Sequence, residues 1–360
     1  MTQEFCHIDI VVPGLRRWLA ENSHAQKQPV LRRWFARGER EENLPSQYQR
    51  LLLTLAGCTL ASDQDVPVAP LAWAGEPIGA LDTSCALDVG GASDSSGTLA
   101  ADRWWLRADP VHLRADRDQL LLFALDEVEV SVADAQSLVR SLNDFYAADG
   151  LRFYAPDPYR WYLSLPTAPQ IRNYDLAEVT GRSLTEFMPV GAQQRWWRTR
   201  LTEMQMLLHD HEVNRARSLR GLPIINGVWL WGGGTLPSLH KTWDQVWAID
   251  PFVLGLARTI SAANQTLPAR FDAGALQLPN TARTLIVCDH LMRPSAENEQ
   301  ARWSRCCDDW LAPLYEYART DARLTVRLVT DFGVAFSLRA SHIRRFWRRA
   351  PNLRAWLGQE

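Results

Sequence analysis

Short apolar runs recur along the chain, and each stops at a proline, glycine or aspartate. HIDIVV (7–12) ends at Pro13-Gly14, IINGVWLW (224–231) at Gly232-Gly233-Gly234, TLIVCD at Asp289 and RLTVRLVTD at Asp331. Between them lie stretches with helical spacing of apolar residues: Gln28 to Ala36, Ser46 to Ala56, the segment after Gly191 with Leu201, Met204, Leu207 and Leu208, and Trp303 to Ala318. Strands apolar on both faces that alternate with helices need a sheet covered on each side, so the expected class is α/β.

One stretch breaks this pattern. RWWLRADPVHLRADRDQLLLFALDEVEV reads as two strands with a turn near Arg114 to Asp118. A helix follows, capped by Ser131, with Asp134 in its first turn and Leu138, Leu142 and Phe145 on one face, before Gly150 ends it. RFYAP and YRWYLSLP then read as strands. Residues 103–186 are therefore an expected α+β subdomain, inserted in a discontinuous core of residues 1–102 and 187–360. GGASDSSGTLAAD (90–102) reads as a surface loop or lid.

Composition narrows the function classes. A net charge of −2 over 360 residues provides no global field for nucleic acid or an anionic membrane. No apolar stretch reaches the roughly 20 residues of a membrane span, and the first residues lack the pattern of a secretory signal. Six scattered cysteines form no CxxC pair, so reduced thiols and a cytoplasmic location are expected.

Several motifs admit two readings. Gly232 and Gly233 could floor a ligand cleft at the carboxyl end of a buried parallel strand, or relieve crowding from Trp229 and Trp231. HDHEVN (209–214) spaces His209 and His211 wrongly for a shared metal, and a hydrogen-bonding helix end is the expectation. LRADPVHLRAD carries Arg107, Asp109, His112 and Arg114, which could grip a phosphate or carboxylate, or form a solvated ion-pair ladder. HIRRFWRRAPNLRAW, the basic tail, could contact nucleic acid or be the wet face of an amphipathic helix with Ile343, Phe346 and Trp347 turned inward, the reading that the near-neutral total charge favours. GxSxG, GxGxxG, HExxH and the Walker loop are absent.

His211-Glu212-Val213-Asn214, Arg215, Gly221, Pro223, Asn226 and WLWGGG together resemble a stretch of archaeal-type cofactor-independent phosphoglycerate mutases, of the alkaline phosphatase superfamily. LRADPVHL, WLWGGG and the late FWRR resemble a bacterial phosphoglycerate mutase-like group, also described as regulatory proteins of the Rpf type. The resemblance implies an alkaline-phosphatase-like sheet, two metal ions and a phosphorylated serine or threonine. Asp289, Asp331 and His342 match its ligand positions. Pro13, Phe332 and Arg293 stand where ligands are expected. Thr83 or Ser84 lies in the right part of the chain for the nucleophile, without a convincing motif, so the catalytic residues stay unassigned.

The expected function is a degenerate mutase-like protein, non-catalytic or weakly catalytic, that binds a small phosphorylated or carboxylated metabolite in a regulatory role. Its binding residues would be Asp289, Arg293, Asp331, His342, Arg107, His112, Gly232 and Gly233, with no metal cofactor and with Arg293 replacing a metal's charge. Two alternatives stand beside it. An active mutase or phosphatase would recruit His7, Asp9 or His290 to hold Mn or Zn. A scaffold would use the basic tail or the indoles to meet a protein partner.

Overall fold

The computed structural model describes residues 6–22, 27–61, 64–77, 103–117, 119–125, 128–274, 283–292, 298–345 and 347–349. The 90–102 loop, Thr83, Ser84 and Arg293 lie outside them. Strands run at Cys6–Val12 (β1), Glu39–Glu41 (β2), Trp104–Asp116 (β3), Gln119–Ala124 (β4), Arg152–Asp157 (β5), Arg160–Leu165 (β6), Gly227–Gly234 (β7), Gln245–Ala248 (β8), Ala263–Thr266 (β9), Arg283–Val287 (β10), Leu324–Thr330 (β11) and Ala335–Leu338 (β12). The chain forms two compact units, one of Met1–Leu60 with Ser238–Glu360 and one of Ala61–Pro237.

The first unit is built on a seven-stranded sheet in the order β2-β12-β11-β1-β10-β8-β9. Strands β11, β1, β10, β8 and β9 are mutually parallel, and β12 and β2 finish one edge antiparallel. Parallel neighbours require crossover connections, here supplied by helices such as Pro251–Thr259 between β8 and β9. Ile8, Ile10 and Val12 alternate onto one face and join a core with Trp34, Trp310 and Leu314 from the flanking helices. All seven residues of β11 are buried, so both faces of the central strands are covered. The α/β expectation holds.

The second unit is an antiparallel sheet in the order β4-β3-β6-β5, with β7 also paired to β3. The helices Val132–Tyr146 and Gln194–His209 lay Leu138, Leu142, Met204 and Leu208 on Leu106, Leu163 and Leu230. Ser131 caps the first helix by accepting from the Asp134 amide at 3.0 Å. Phe145, expected in that core, is 54% exposed. Residues 103–186 lie inside this unit, together with β7.

WLWGGG is not a strand of the parallel sheet. β7 pairs antiparallel with β3, Trp229 opposite Asp109 and Trp231 opposite Arg107. Its apolar run suits either sheet type, because both of its faces are covered here. The glycines admit neighbouring side chains of the same unit. A Cβ at Gly232 would sit 2.9 Å from the Val68 Cβ, and one at Gly234 2.6 Å from the Pro67 Cβ. At Gly233 it would meet Leu106 at 2.7 Å and the Trp104 indole at 3.0 Å. Gly232 also has φ +61°, a left-handed value that disfavours any side chain. The space expected for a ligand is filled by protein.

Candidate functional site

Ligands of open α/β sheets gather outside the carboxyl ends of the parallel strands. In the first unit those ends belong to β11, β1 and β10, side by side. Val12 pairs with Thr330 and Val11 with Val287, so Pro13-Gly14, Asp331 and the turn Asp289–Leu291 meet at one edge. Gly14 turns with φ +83°, and a Cβ there would lie 3.2 Å from the Leu291 carbonyl oxygen. Asp289 is 5% exposed. Two strand spacings separate the Asp289 and Asp331 backbones, about 10 Å.

Asp331 is bound to its own chain. Its Oδ2 accepts from the Gly14 amide and its Oδ1 from the Arg16 amide, both at 2.8 Å. The carboxylate thus serves the first turn of the helix Leu15–Glu21, whose own N-cap residue, Gly14, offers no side chain. Burial pushes the Asp331 carboxyl up to about 6, although the two amides favour its ionised form. The next residue, Phe332, lies in the core and meets Phe35 edge-on at 6.4 Å.

His342 is not brought to this edge. After β11 the chain reverses, and Ser337 pairs with Arg327, four residues short of Asp331. The His342 Nδ1 lies 3.2 Å from the Ser337 carbonyl oxygen, so the ring sits roughly 13 Å back along the strand direction. Burial lowers its pKa. Asp9, an alternative ligand, is also set back, three residues before the end of β1. It is 1% exposed and accepts from the Trp243 indole at 2.8 Å, with His7 Nε2 at 3.4 Å and Arg327 Nη1 at 3.6 Å from Oδ1. Burial would raise its pKa, but these neighbours outweigh burial and hold it below the ordinary value. Among the described residues no three His, Cys, Asp or Glu side chains are grouped to hold a metal. With Asp331 tied to two amides, proline at 13 and a core phenylalanine at 332, the described residues do not fit a two-metal centre.

The candidates in the second unit have structural partners. Arg107 and His112, expected to act together, project from opposite faces of β3 because five residues is an odd step along a strand. Arg107 is 8% exposed. Its Nη2 lies 2.5 Å from Asp109 Oδ1, and its guanidinium stacks over Tyr162 and Trp231 at 5.1 and 5.3 Å. The Trp231 indole donates to Asp109 Oδ2 at 2.7 Å, and the Tyr162 hydroxyl donates to Glu76 at 2.7 Å. Arg160 grips the same Glu76 at 2.9 Å. Burial, which would discharge Arg107, is outweighed by Asp109, so its pKa rises. Of the two readings of LRADPVHLRAD, an ion pair is present at Arg107 and Asp109, but it is buried and not solvated. The visible signal was Arg107 and Asp109 two apart on one strand face. His112 has its Nδ1 2.9 Å from the Ile224 carbonyl oxygen.

The mutase-like motif residues also act on backbone. His211 caps the helix Glu212–Leu219, accepting from the Val213 amide at 3.2 Å, and its Nε2 lies 3.0 Å from the Ser141 hydroxyl. This is the helix-end cluster expected of HDHEVN. Asn214 accepts from the Ile225 amide at 2.8 Å and donates to the Ile225 and Leu208 carbonyls at 2.8 and 2.6 Å. Asn226 does the same for both backbone groups of Leu113, at 2.7 and 2.8 Å. Arg215, named in the motif, is exposed. Arg217 is the buried clamp, donating to the Pro223 and Glu129 carbonyls at 3.0 and 2.8 Å.

No family model matches the chain. It is 24% identical over 240 residues to the 2,3-bisphosphoglycerate-independent phosphoglycerate mutase of Methanosarcina barkeri, covering 60% of each protein. It is 30% identical over 114 residues to the 2,3-bisphosphoglycerate-independent phosphoglycerate mutase 2 of Methanothermobacter thermautotrophicus, 31% of this chain and 28% of that protein. The chain thus spans 60% or less of these relatives. Among solved structures it is similar to the PH0037 protein from Pyrococcus horikoshii, with a TM-score of 0.52 and 12% identity over 93% of this chain and 88% of that one. A cofactor-independent phosphoglycerate mutase from Thermoplasma acidophilum gives a TM-score of 0.47 and 14% identity over 99% and 95% of the two chains. The fold is the alkaline-phosphatase-like α/β one, and the sequence similarity to phosphoglycerate mutases is weak.

Proposed function

We propose that this chain is a phosphoglycerate mutase-like protein whose metal-bearing strand edge has become structural. It is non-catalytic or weakly catalytic, and it acts as a regulatory pseudoenzyme of the bacterial Rpf type that binds a small phosphorylated metabolite. One observation carries the catalytic half of this reading. Asp331, at a strand end where the resemblance calls for a metal ligand, gives both oxygens to the Gly14 and Arg16 amides. Freeing it would uncover helix amides that then need water or another acceptor.

Two measurements on the purified chain test this together. One is metal content after exposure to Mn²⁺ and Zn²⁺ and removal of loose ions. The other is interconversion of 2- and 3-phosphoglycerate. The expected result is far less than one ion per chain and no turnover above background. One or two tightly held ions with turnover would replace this reading with that of an active mutase.

A further inference from the structure

A cavity of about 550 Å³ opens in the first unit between the end of the helix Pro29–Arg37, the edge strand β2 and the segment after His342. Its lining includes Arg40, Arg345, Arg348 and Arg349, together with Phe35 and Glu39, the acidic lining residue. With Arg40 offset by Glu42, the three remaining guanidinium groups against the one lining carboxylate leave a surplus of two positive charges. For Arg345, Arg348 and Arg349 no carboxylate lies within ion-pair distance among the described residues.

Unpaired arginines crowded around one hollow repel each other, and an anion relieves that repulsion. Guanidinium forks bind phosphoryl oxygens bidentately. The volume is that of a small-molecule pocket, while its lining is charged where such pockets are usually apolar. We infer that this cavity binds a compact polyanion with two or more phosphoryl groups. A long polyanion fits less well. It would have to run past Glu39, Glu41 and Glu42 on and beside β2, and the chain as a whole is slightly acidic. The inference rests on the anion-binding half of the proposed function. It does not depend on whether the β11–β1–β10 edge is catalytic.

The test is titration calorimetry of the full chain with inorganic tripolyphosphate. The variants are Arg348→Glu with Arg349→Glu, Arg345→Ala, and, as control, Arg319→Ala, whose side chain does not line the cavity, each checked for unchanged circular dichroism. One-to-one binding is expected, weakened at least tenfold by the double variant and by Arg345→Ala, unchanged in Arg319→Ala, and weakened by added salt. Trp347, 67% exposed and next to Arg348, supplies a fluorescence readout. The inference is overturned if tripolyphosphate does not bind, if it binds equally well to the double variant, or if a single-stranded oligonucleotide binds more tightly at equal salt. Since no metal or turnover enters this assay, its failure is distinct from failure of the strand-edge reading.

Discussion

Arg107 and Arg349 carry the same guanidinium in opposite surroundings. Arg107 is buried in the second unit, held by Asp109 and covered by Tyr162 and Trp231. Arg349 lines a hollow in the first unit and has no carboxylate partner among the described residues. A buried charge must be matched inside the protein, so its partners are structural and its binding capacity is already used. An exposed charge without a partner adds little to folding and remains available to a ligand. The sequence motifs most suggestive of chemistry, LRADPVHL and WLWGGG, belong to the first kind. The basic tail, which looked like an ordinary wet helix face, belongs to the second, and Trp347, expected to turn inward, is exposed.

The sharpest test of that contrast is to remove one partner of the buried pair. Asp109→Ala leaves Arg107 charged and unmatched, and takes an acceptor from the Trp231 indole. The expected loss of stability is about 3–5 kcal/mol, read by urea unfolding. A loss below about 1 kcal/mol would mean that water reaches the site and that Arg107 is not sealed from solvent.

Glycine 232 comes next. Gly232→Ala must adopt a left-handed φ and place its Cβ against Val68, so a cost of about 2–3 kcal/mol is expected. Gly221→Ala provides the comparison, with φ +70° but nothing within 4 Å, and should cost only about 1 kcal/mol. Equal costs would show that backbone strain alone, and not the approach of Val68, explains why β7 ends in glycine.

Much of the fold was legible because period and punctuation are local. The apolar runs at 7–12, 284–289 and 323–331 supply parallel strands of one sheet, and Ser131 caps the helix it was expected to cap. Pairing partners were not legible in the same way. WLWGGG has the apolar content of a parallel strand, and nothing within it says that its neighbour is β3. For the site, the sequence located the carboxyl edge through Asp289 and Asp331. It could not show that His342 follows a hairpin that carries it back along the sheet, since that distance is set by register. Nor could it show that Asp331 bonds to amides 317 and 315 residues away in the chain. Arg293, on which the anion-for-metal idea turned, lies outside the described residues.

Asp331 gives a smaller, pH-dependent effect. Its folded pKa, about 6, lies above the ordinary aspartate value of 3.8, so between those values the native state holds more protons than the unfolded one. Its contribution is therefore fully present below about pH 4 and is lost as pH rises through 6. The expected change is roughly 1–2 kcal/mol after allowance for solvent screening. Asp331→Asn should flatten stability across that window, measured by urea unfolding at stepped pH. A variant that kept the wild-type slope there would assign the titration to another group, and Asp331 would then be held ionised by its two amides.

The smallest expected effect closes the comparison from the exposed side. Arg349→Ala removes a charge that no described carboxylate balances and that little packing holds, so stability should change by no more than about 0.5 kcal/mol in either direction. A slight gain is favoured at low salt, because the like charges of Arg345 and Arg348 lose a neighbour, and it should fade as salt shortens the screening length. The same truncation at Arg107 would leave Asp109 buried without its cation and cost several kcal/mol. If Arg349→Ala proved as damaging as Arg107→Ala, the cavity arginines would be structural too. The unpaired positive charge that singles out that hollow would then have a partner inside the protein.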